Sequence, residues 1–173
     1  MIRDNKIQYS SASKKDWNSL AVFRNIYSHE GLEKSKSQFA RNFHSDAKIV
    51  PREIFKAVKG GQIVGYGRCE FFDPALGSTL YGLGEELAKG IYLSGVLVHE
   101  DVRGMGVGIE LTNLRIEWAR ERADRIYCYI QETNIPSLDM HMKLGFKQIQ
   151  KDLRYPTDSK EERTGVLLEL RLL

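Results

Sequence analysis

Arg103, Gly104, Met105, Gly106, Val107 and Gly108 follow one another in a chain of 173 residues, and their types are those that hold an anion. Glycines tolerate positive φ and let backbone N–H groups come close to a ligand. A glycine-rich turn that runs into a helix leaves the first N–H donors of that helix unpaired. They lie at the positive end of the helix dipole, where a phosphate group is stabilised. Arg103 adds a fixed charge on a planar fork that pairs with phosphate oxygens. The same residues would also make a plain strand-to-helix connection, so the flanking elements have to discriminate.

Upstream, residues 91–98 (IYLSGVLV) are apolar, β-branched and aromatic, the composition of a buried strand. Downstream, Val107, Leu111, Leu114, Trp118 and Ala119 recur at helical spacing, with Glu110, Asn113, Glu117 and Arg120 between them. Strand, glycine turn and helix therefore occur in the order an anion site requires. A dinucleotide-binding fingerprint is not met, because residues 104–109 lack the last glycine of Gly-x-Gly-x-x-Gly and hairpins precede them rather than βαβ units.

The remaining elements follow from periodicity and punctuation. Residues 6–10 read as a first strand, and Ser13 or Ser11 caps a helix bearing Trp17, Leu20, Ala21, Phe23 and Tyr27, ended by Gly31. A second helix over residues 33–43 carries Phe39 and Phe43 on one face. Residues 53–58 and 62–72 flank Lys59, Gly60 and Gly61, a turn that joins antiparallel strands. Residues 73–90 hold Pro74 and several glycines and read as a long connection with one helical turn at residues 85–89. Residues 125–131 form a strand. A short helix follows through Leu144, with Pro136 in its first turn and Gly145 at its end. Residues 146–150 and 165–172 are two more strands, separated by a polar loop over residues 155–163.

This hairpin-rich order implies an α/β (α+β) fold with a mixed, mostly antiparallel sheet of about seven strands and about four helices, in a single domain over residues 1–173. Lys and Arg number 26 against 23 Asp and Glu, and a formal charge of +3 is too small to argue for nucleic acid. Cys69 and Cys128 lie far apart in strand-like surroundings, as reduced core thiols do. The first residues lack the apolar stretch of a signal peptide, and no run reaches membrane-spanning length, so a cytoplasmic protein with no membrane partner is expected. Strand edges near the C-terminus leave monomer and homodimer both open.

Taken in order, the strand, the Arg-x-x-Gly-x-Gly of Arg103, Gly106 and Gly108, the helix, the next strand, Asn134 and the run Lys143-Leu144-Gly145-Phe146 resemble the GNAT superfamily of N-acetyltransferases. That resemblance implies acetyl-CoA as cosubstrate and no metal. It implies that the strands at residues 91–98 and 125–131 splay apart as an acyl-CoA cleft. The pyrophosphate would lie on the amides from Arg103 to Gly108, and the pantetheine arm would pair with backbone groups of Val96, Leu97 and Val98. Asn134 either holds that arm through its amide or caps the helix beginning at Ile135 or Pro136.

Acetyl transfer needs a neutral amine, a stabiliser for the oxyanion and, in many relatives, a proton donor for the departing thiolate. Most relatives have a Tyr one turn before the Gly-Phe pair, where this chain has His141. An imidazole, with a reference pKa of about 6.5, can donate that proton; alternatively His141 packs on its helix and is satisfied by a backbone carbonyl. Glu70, Glu85 and Glu86 are candidate bases facing a substrate mouth, each also readable as a solvated surface acid, and an ordered water chain could replace them. Glu85 and Glu86, with Tyr81, Tyr92 and Tyr129 nearby, suit a cationic, hydroxyl-rich small-molecule amine. The reading is an acetyl-CoA-dependent N-acetyltransferase acting on a primary amine of such a molecule, an aminoglycoside antibiotic being the example. A protein or peptide N-acetyltransferase and a non-catalytic CoA-binding module are the alternatives.

Overall fold

A computed structural model of the chain describes residues 6–28, 31–43, 51–76, 87–155 and 163–172. Seven strands and four α-helices are found among the described residues. In chain order they are β1 (Gln8–Ser11), α1 (Trp17–Ser28), α2 (Leu32–Phe43), β2 (Arg52–Lys59), β3 (Gln62–Phe72), β4 (Gly90–Val98), α3 (Val107–Arg120), β5 (Arg125–Gln131), α4 (Ile135–Lys143), β6 (Lys147–Tyr155) and β7 (Arg163–Arg171). The strands form one sheet in the order β1-β2-β3-β4-β5-β7-β6. β1 pairs β2, β5 pairs β7 and β6 pairs β7 in antiparallel fashion, while β4 and β5 are parallel at Ile91↔Ile126 and Tyr92↔Tyr127. The expected mixed, mostly antiparallel architecture is therefore the one observed.

The chain divides into two compact units, residues 1–69 with 95–115 and residues 70–94 with 116–173. In the first unit, Leu20, Ala21 and Phe23 of α1 and Phe39 of α2 pack with Ile54 and Tyr66 of β2 and β3, and Phe39 meets Tyr66 edge-on at 5.3 Å between ring centroids. Ser13 opens this unit's helical layer with a capping box: its N–H donates to Asp16 Oδ2 at 2.7 Å, and its Oγ accepts from the Lys15 N–H at 3.3 Å. Gly60 and Gly61, both with positive φ, close the β2–β3 hairpin as read from sequence.

The second unit has an aromatic core of Phe72, Tyr92, Tyr127 and Tyr129 with Leu87, Leu153 and Leu167. Tyr129 lies directly over Gly165 of β7, where a Cβ would collide with the ring. That position is a glycine because the ring takes the space of a side chain.

α1 is described to Ser28, and Gly31, with φ 86°, opens α2, its carbonyl accepting the Ser35 N–H at 3.2 Å. Two local expectations are corrected. Residues 87–89 are not helical; Leu87 is buried and Lys89 pairs with Asp73 at 2.7 Å, which holds this stretch as an irregular connection. β6 runs on to Tyr155 past two register irregularities, with Asp152 at φ 56°. Its polar sequence hid the second half, since a bulged strand loses strict alternation.

Candidate functional site

The glycine turn lies between two buried anchors of the first unit, Val102 and Val107. His99 starts the approach by accepting the Asp101 N–H on Nδ1 at 3.2 Å, and its ring packs against Phe23 and Tyr27. The Arg103 N–H then donates to Glu100 O at 3.1 Å, closing a tight turn before the glycines. Gly104 and Gly106 have φ of 76° and 80°, and a Cβ built on either meets nothing within 4 Å. The backbone there is left-handed and its outward side is open.

The first bond of α3 runs from Glu110 N–H to Gly106 O at 3.0 Å. The N–H groups of Val107, Gly108 and Ile109 consequently have no carbonyl behind them within the helix. They converge at the positive end of a helix of 14 residues. This cradle of free donors behind open glycines fits a phosphate or diphosphate. Arg103 is used differently from the expectation: its Nε donates to Val98 O at 3.1 Å and its guanidinium lies 5.7 Å from the centroid of the Tyr27 ring. Part of the fork thus ties the turn to the end of β4.

β4 changes character at Gly95, whose φ of 57° interrupts the extended backbone. Before it, Ser94 is buried; after it, Val96, Leu97 and Val98 are half-buried. Ser94 Oγ donates to Glu70 Oε1 at 2.9 Å, giving the Glu70 carboxylate a fixed direction. Sequence reasoning selected Glu70 and missed Ser94. The available signal was a glycine inside a strand pattern, which marks a bulge.

Two other candidates in the second unit, Tyr92 and Tyr129, are buried. Tyr92 is fully buried, its hydroxyl donating to Ala88 O at 2.8 Å and its ring stacked on Tyr127 at 5.1 Å. Burial, with the neighbouring Tyr127 adding to it, pushes the Tyr92 phenol well above the usual tyrosine range. Tyr129 is buried too, and its hydroxyl donates to Leu153 O at 3.3 Å. Both hydroxyls are thus engaged by backbone carbonyls inside the second unit. Glu85 and Glu86, together with Tyr81, lie outside the described residues.

Asn134 caps α4, its Oδ1 accepting the Ser137 N–H at 3.3 Å; that bond leaves the Nδ2 group uncommitted to the cap. His141 is 2% exposed. Its Nδ1 faces Ser137 O at 2.8 Å, its Nε2 faces Cys128 Sγ at 3.5 Å, and its ring meets Phe146 edge-on at 5.1 Å. A carbonyl can only accept, so Nδ1 donates to Ser137 O, while Nε2 lies beside the Cys128 thiol. This is the carbonyl-satisfied histidine of the second sequence reading.

A model of the acetyltransferase (GNAT) family matches residues 20–146. An N-alpha-acetyltransferase of Sulfurisphaera tokodaii is 29% identical over 112 residues, 62% of this chain and 64% of that protein. The matched stretches span 24% and 64% of the lengths of two curated relatives, less than two thirds of either. Among solved structures, yncA from Salmonella typhimurium with its cofactor acetyl-CoA aligns at a TM-score of 0.73 and 18% identity, over 97% of this chain and 95% of that one. The ribosomal-protein-alanine N-acetyltransferase from Brucella melitensis aligns at 0.72 and 22% identity, over 95% and 99%.

Proposed function

Since the chain belongs to the acetyltransferase (GNAT) family, we propose that it is an acetyl-CoA-dependent N-acetyltransferase acting on a primary amine. The observation that carries this reading is the open glycine turn, with the free N–H groups of Val107, Gly108 and Ile109 at the start of α3. Acetyl-CoA supplies its acyl group as a thioester: an unprotonated amine attacks the carbonyl carbon, the C–N bond forms, the C–S bond breaks, and the CoA thiolate leaves and is protonated as the nitrogen gives up its extra proton.

The amides of Gly104, Gly106, Val107 and Gly108 receive the diphosphate, the Met105 N–H being spent on Val102 O, and Arg103 holds that turn against Val98. Backbone groups of Val96, Leu97 and Val98, beyond the Gly95 interruption, pair with the pantetheine arm. In the second unit, the cap bond of Asn134 leaves its Nδ2 group able to donate to a ligand carbonyl. Glu70, oriented by Ser94, takes the proton from the acceptor ammonium. His141 seats α4 on β5, because both its ring nitrogens are engaged in the core. Cys69 and Cys128, both buried and outside any disulfide, support a reducing compartment such as the cytoplasm, and among the described residues no helix is long and apolar enough to cross a membrane.

For the acceptor, the names of the Sulfurisphaera and Brucella relatives support the α-amine of a polypeptide. Glu85 and Glu86 support a small cationic amine, aminoglycosides included, though Tyr92 and Tyr129, two of the three tyrosines that strengthened that reading, are buried. Purified protein incubated with acetyl-CoA and a panel of N-terminal peptides, polyamines and aminoglycosides, read by thiol release, discriminates between them. Turnover confined to peptides with a free α-amine is the expected result. Turnover confined to aminoglycosides would replace the polypeptide acceptor with the small-molecule one, and CoA binding without turnover on any amine would leave a binding module.

A further inference from the structure

In the second half of α3, on the side turned to β3, Arg115 is 1% exposed. A guanidinium stays charged at every physiological pH, so a permanent positive charge is buried there. Its hydrogen bonds run in two directions. Nη1 donates to Arg68 O of β3 at 3.3 Å, and Nε donates to Leu111 O at 3.1 Å. Nη2 donates to Thr112 Oγ1 at 2.7 Å, and Thr112 Oγ1 in turn donates to Gly108 O at 2.8 Å. A continuous chain of bonds therefore joins the β3 backbone to the first turn of α3, where the anion cradle begins.

The space for this arrangement is made by Gly67. A Cβ at that position would lie 2.9 Å from Arg115 Nε and 3.2 Å from Cζ. Ordinary helix–sheet packing would call for an apolar residue at position 115, given that Leu111 one turn earlier is fully buried. Burying a charge and leaving out a side chain opposite it both cost stability, so the arrangement demands a compensating use.

We infer that Arg115 is a positioning residue for the glycine turn, fixing the first turn of α3 against β3 and adding its charge to the helix dipole that faces the diphosphate; the inference rests on the diphosphate reading above. Gly108 lies seven residues earlier, about 10 Å along the helix axis. A unit charge at that range, about one Debye length, is partly screened at an open turn; together with the chain of bonds to Gly108 it changes the affinity for an anion by about tenfold, equivalent to about 1.4 kcal/mol.

The test is calorimetric titration of CoA into the unaltered chain and into Arg115→Met, Arg115→Lys and Thr112→Val, each repeated in the presence of inorganic pyrophosphate, with melting curves alongside. The expected result is CoA binding about tenfold weaker in Arg115→Met, with competition by pyrophosphate weakened in parallel. Arg115→Lys, which keeps the charge, and Thr112→Val, which cuts only the link to Gly108, should lose less. Folded Arg115→Met with unchanged CoA affinity overturns the inference while leaving the diphosphate reading intact, as does weakened CoA binding with undiminished pyrophosphate competition. Should Arg115→Met fail to fold, unchanged affinity in both Arg115→Lys and Thr112→Val overturns it. An unaltered chain that binds no CoA removes the diphosphate reading itself.

Discussion

Gly106→Ala separates the backbone cost of a left-handed residue from the function of the turn. At Gly106, φ is 80° and an added Cβ meets no atom within 4 Å, so the protein offers no steric resistance to the methyl group. The intrinsic penalty of an L-residue in the left-handed region is about 1–2 kcal/mol. In a domain of this size it lowers the melting temperature by about 2–8 °C. Gly60 is a matched control: its φ is 57°, its Cβ position is likewise open, and it closes the β2–β3 hairpin. Gly60→Ala should cost comparable stability. Only at Gly106 does the methyl group enter space assigned to the diphosphate, where losing one charge-assisted N–H bond is worth about 1.5–3 kcal/mol. CoA measured by calorimetry should bind about 10- to 100-fold more weakly to Gly106→Ala and unchanged to Gly60→Ala. Equal CoA affinities in the two folded variants would refute the assignment of the turn.

Glu70→Gln should reduce kcat about a hundredfold while CoA binding is retained, and a steady-state assay with the acceptor identified by the amine panel checks it. His141→Ala should lower the melting temperature by about 5–10 °C through loss of the bond to Ser137 and the packing on Phe146, with kcat changed by less than about threefold. A kcat collapse without a stability loss would return His141 to the reaction. Asp16→Asn should cost about 1 kcal/mol near neutral pH. Burial raises the Asp16 carboxyl pKa, but hydrogen bonds from Lys56 and Ser13 outweigh it and hold the pKa below the usual aspartate value. The contribution is therefore present above the unfolded aspartate pKa of about 3.9 and is lost as pH falls through the depressed folded value, so thermal melts of the two proteins should converge under acid conditions.

Glycine punctuation and apolar periodicity carried the hairpin at Gly60–Gly61, the extent of β3 and β5, and the turn into α3, because each is a local consequence of backbone preference. The burial of Tyr92 and Tyr129 has no such local signal, because β4 from Ile91 to Ser94 and β5 from Ile126 to Ile130 are buried on both faces, so alternation no longer reports which side chains meet solvent. The environment of His141 depends on Cys128, 13 residues away, a contact with no local signature. Arg115 was hidden for another reason: an arginine on a helix reads as solvent-facing, and only the pair Gly65 and Gly67 in β3 hints that something large approaches that strand.

The central claim is that the amides of the glycine turn hold the diphosphate of CoA. Amide chemical-shift mapping during titration of CoA into isotope-labelled protein tests it at the atoms concerned. Saturable shifts of the Gly104, Gly106, Val107 and Gly108 N–H resonances, reproduced at higher concentration by inorganic pyrophosphate, are predicted. CoA binding that leaves these four resonances in place would contradict the claim.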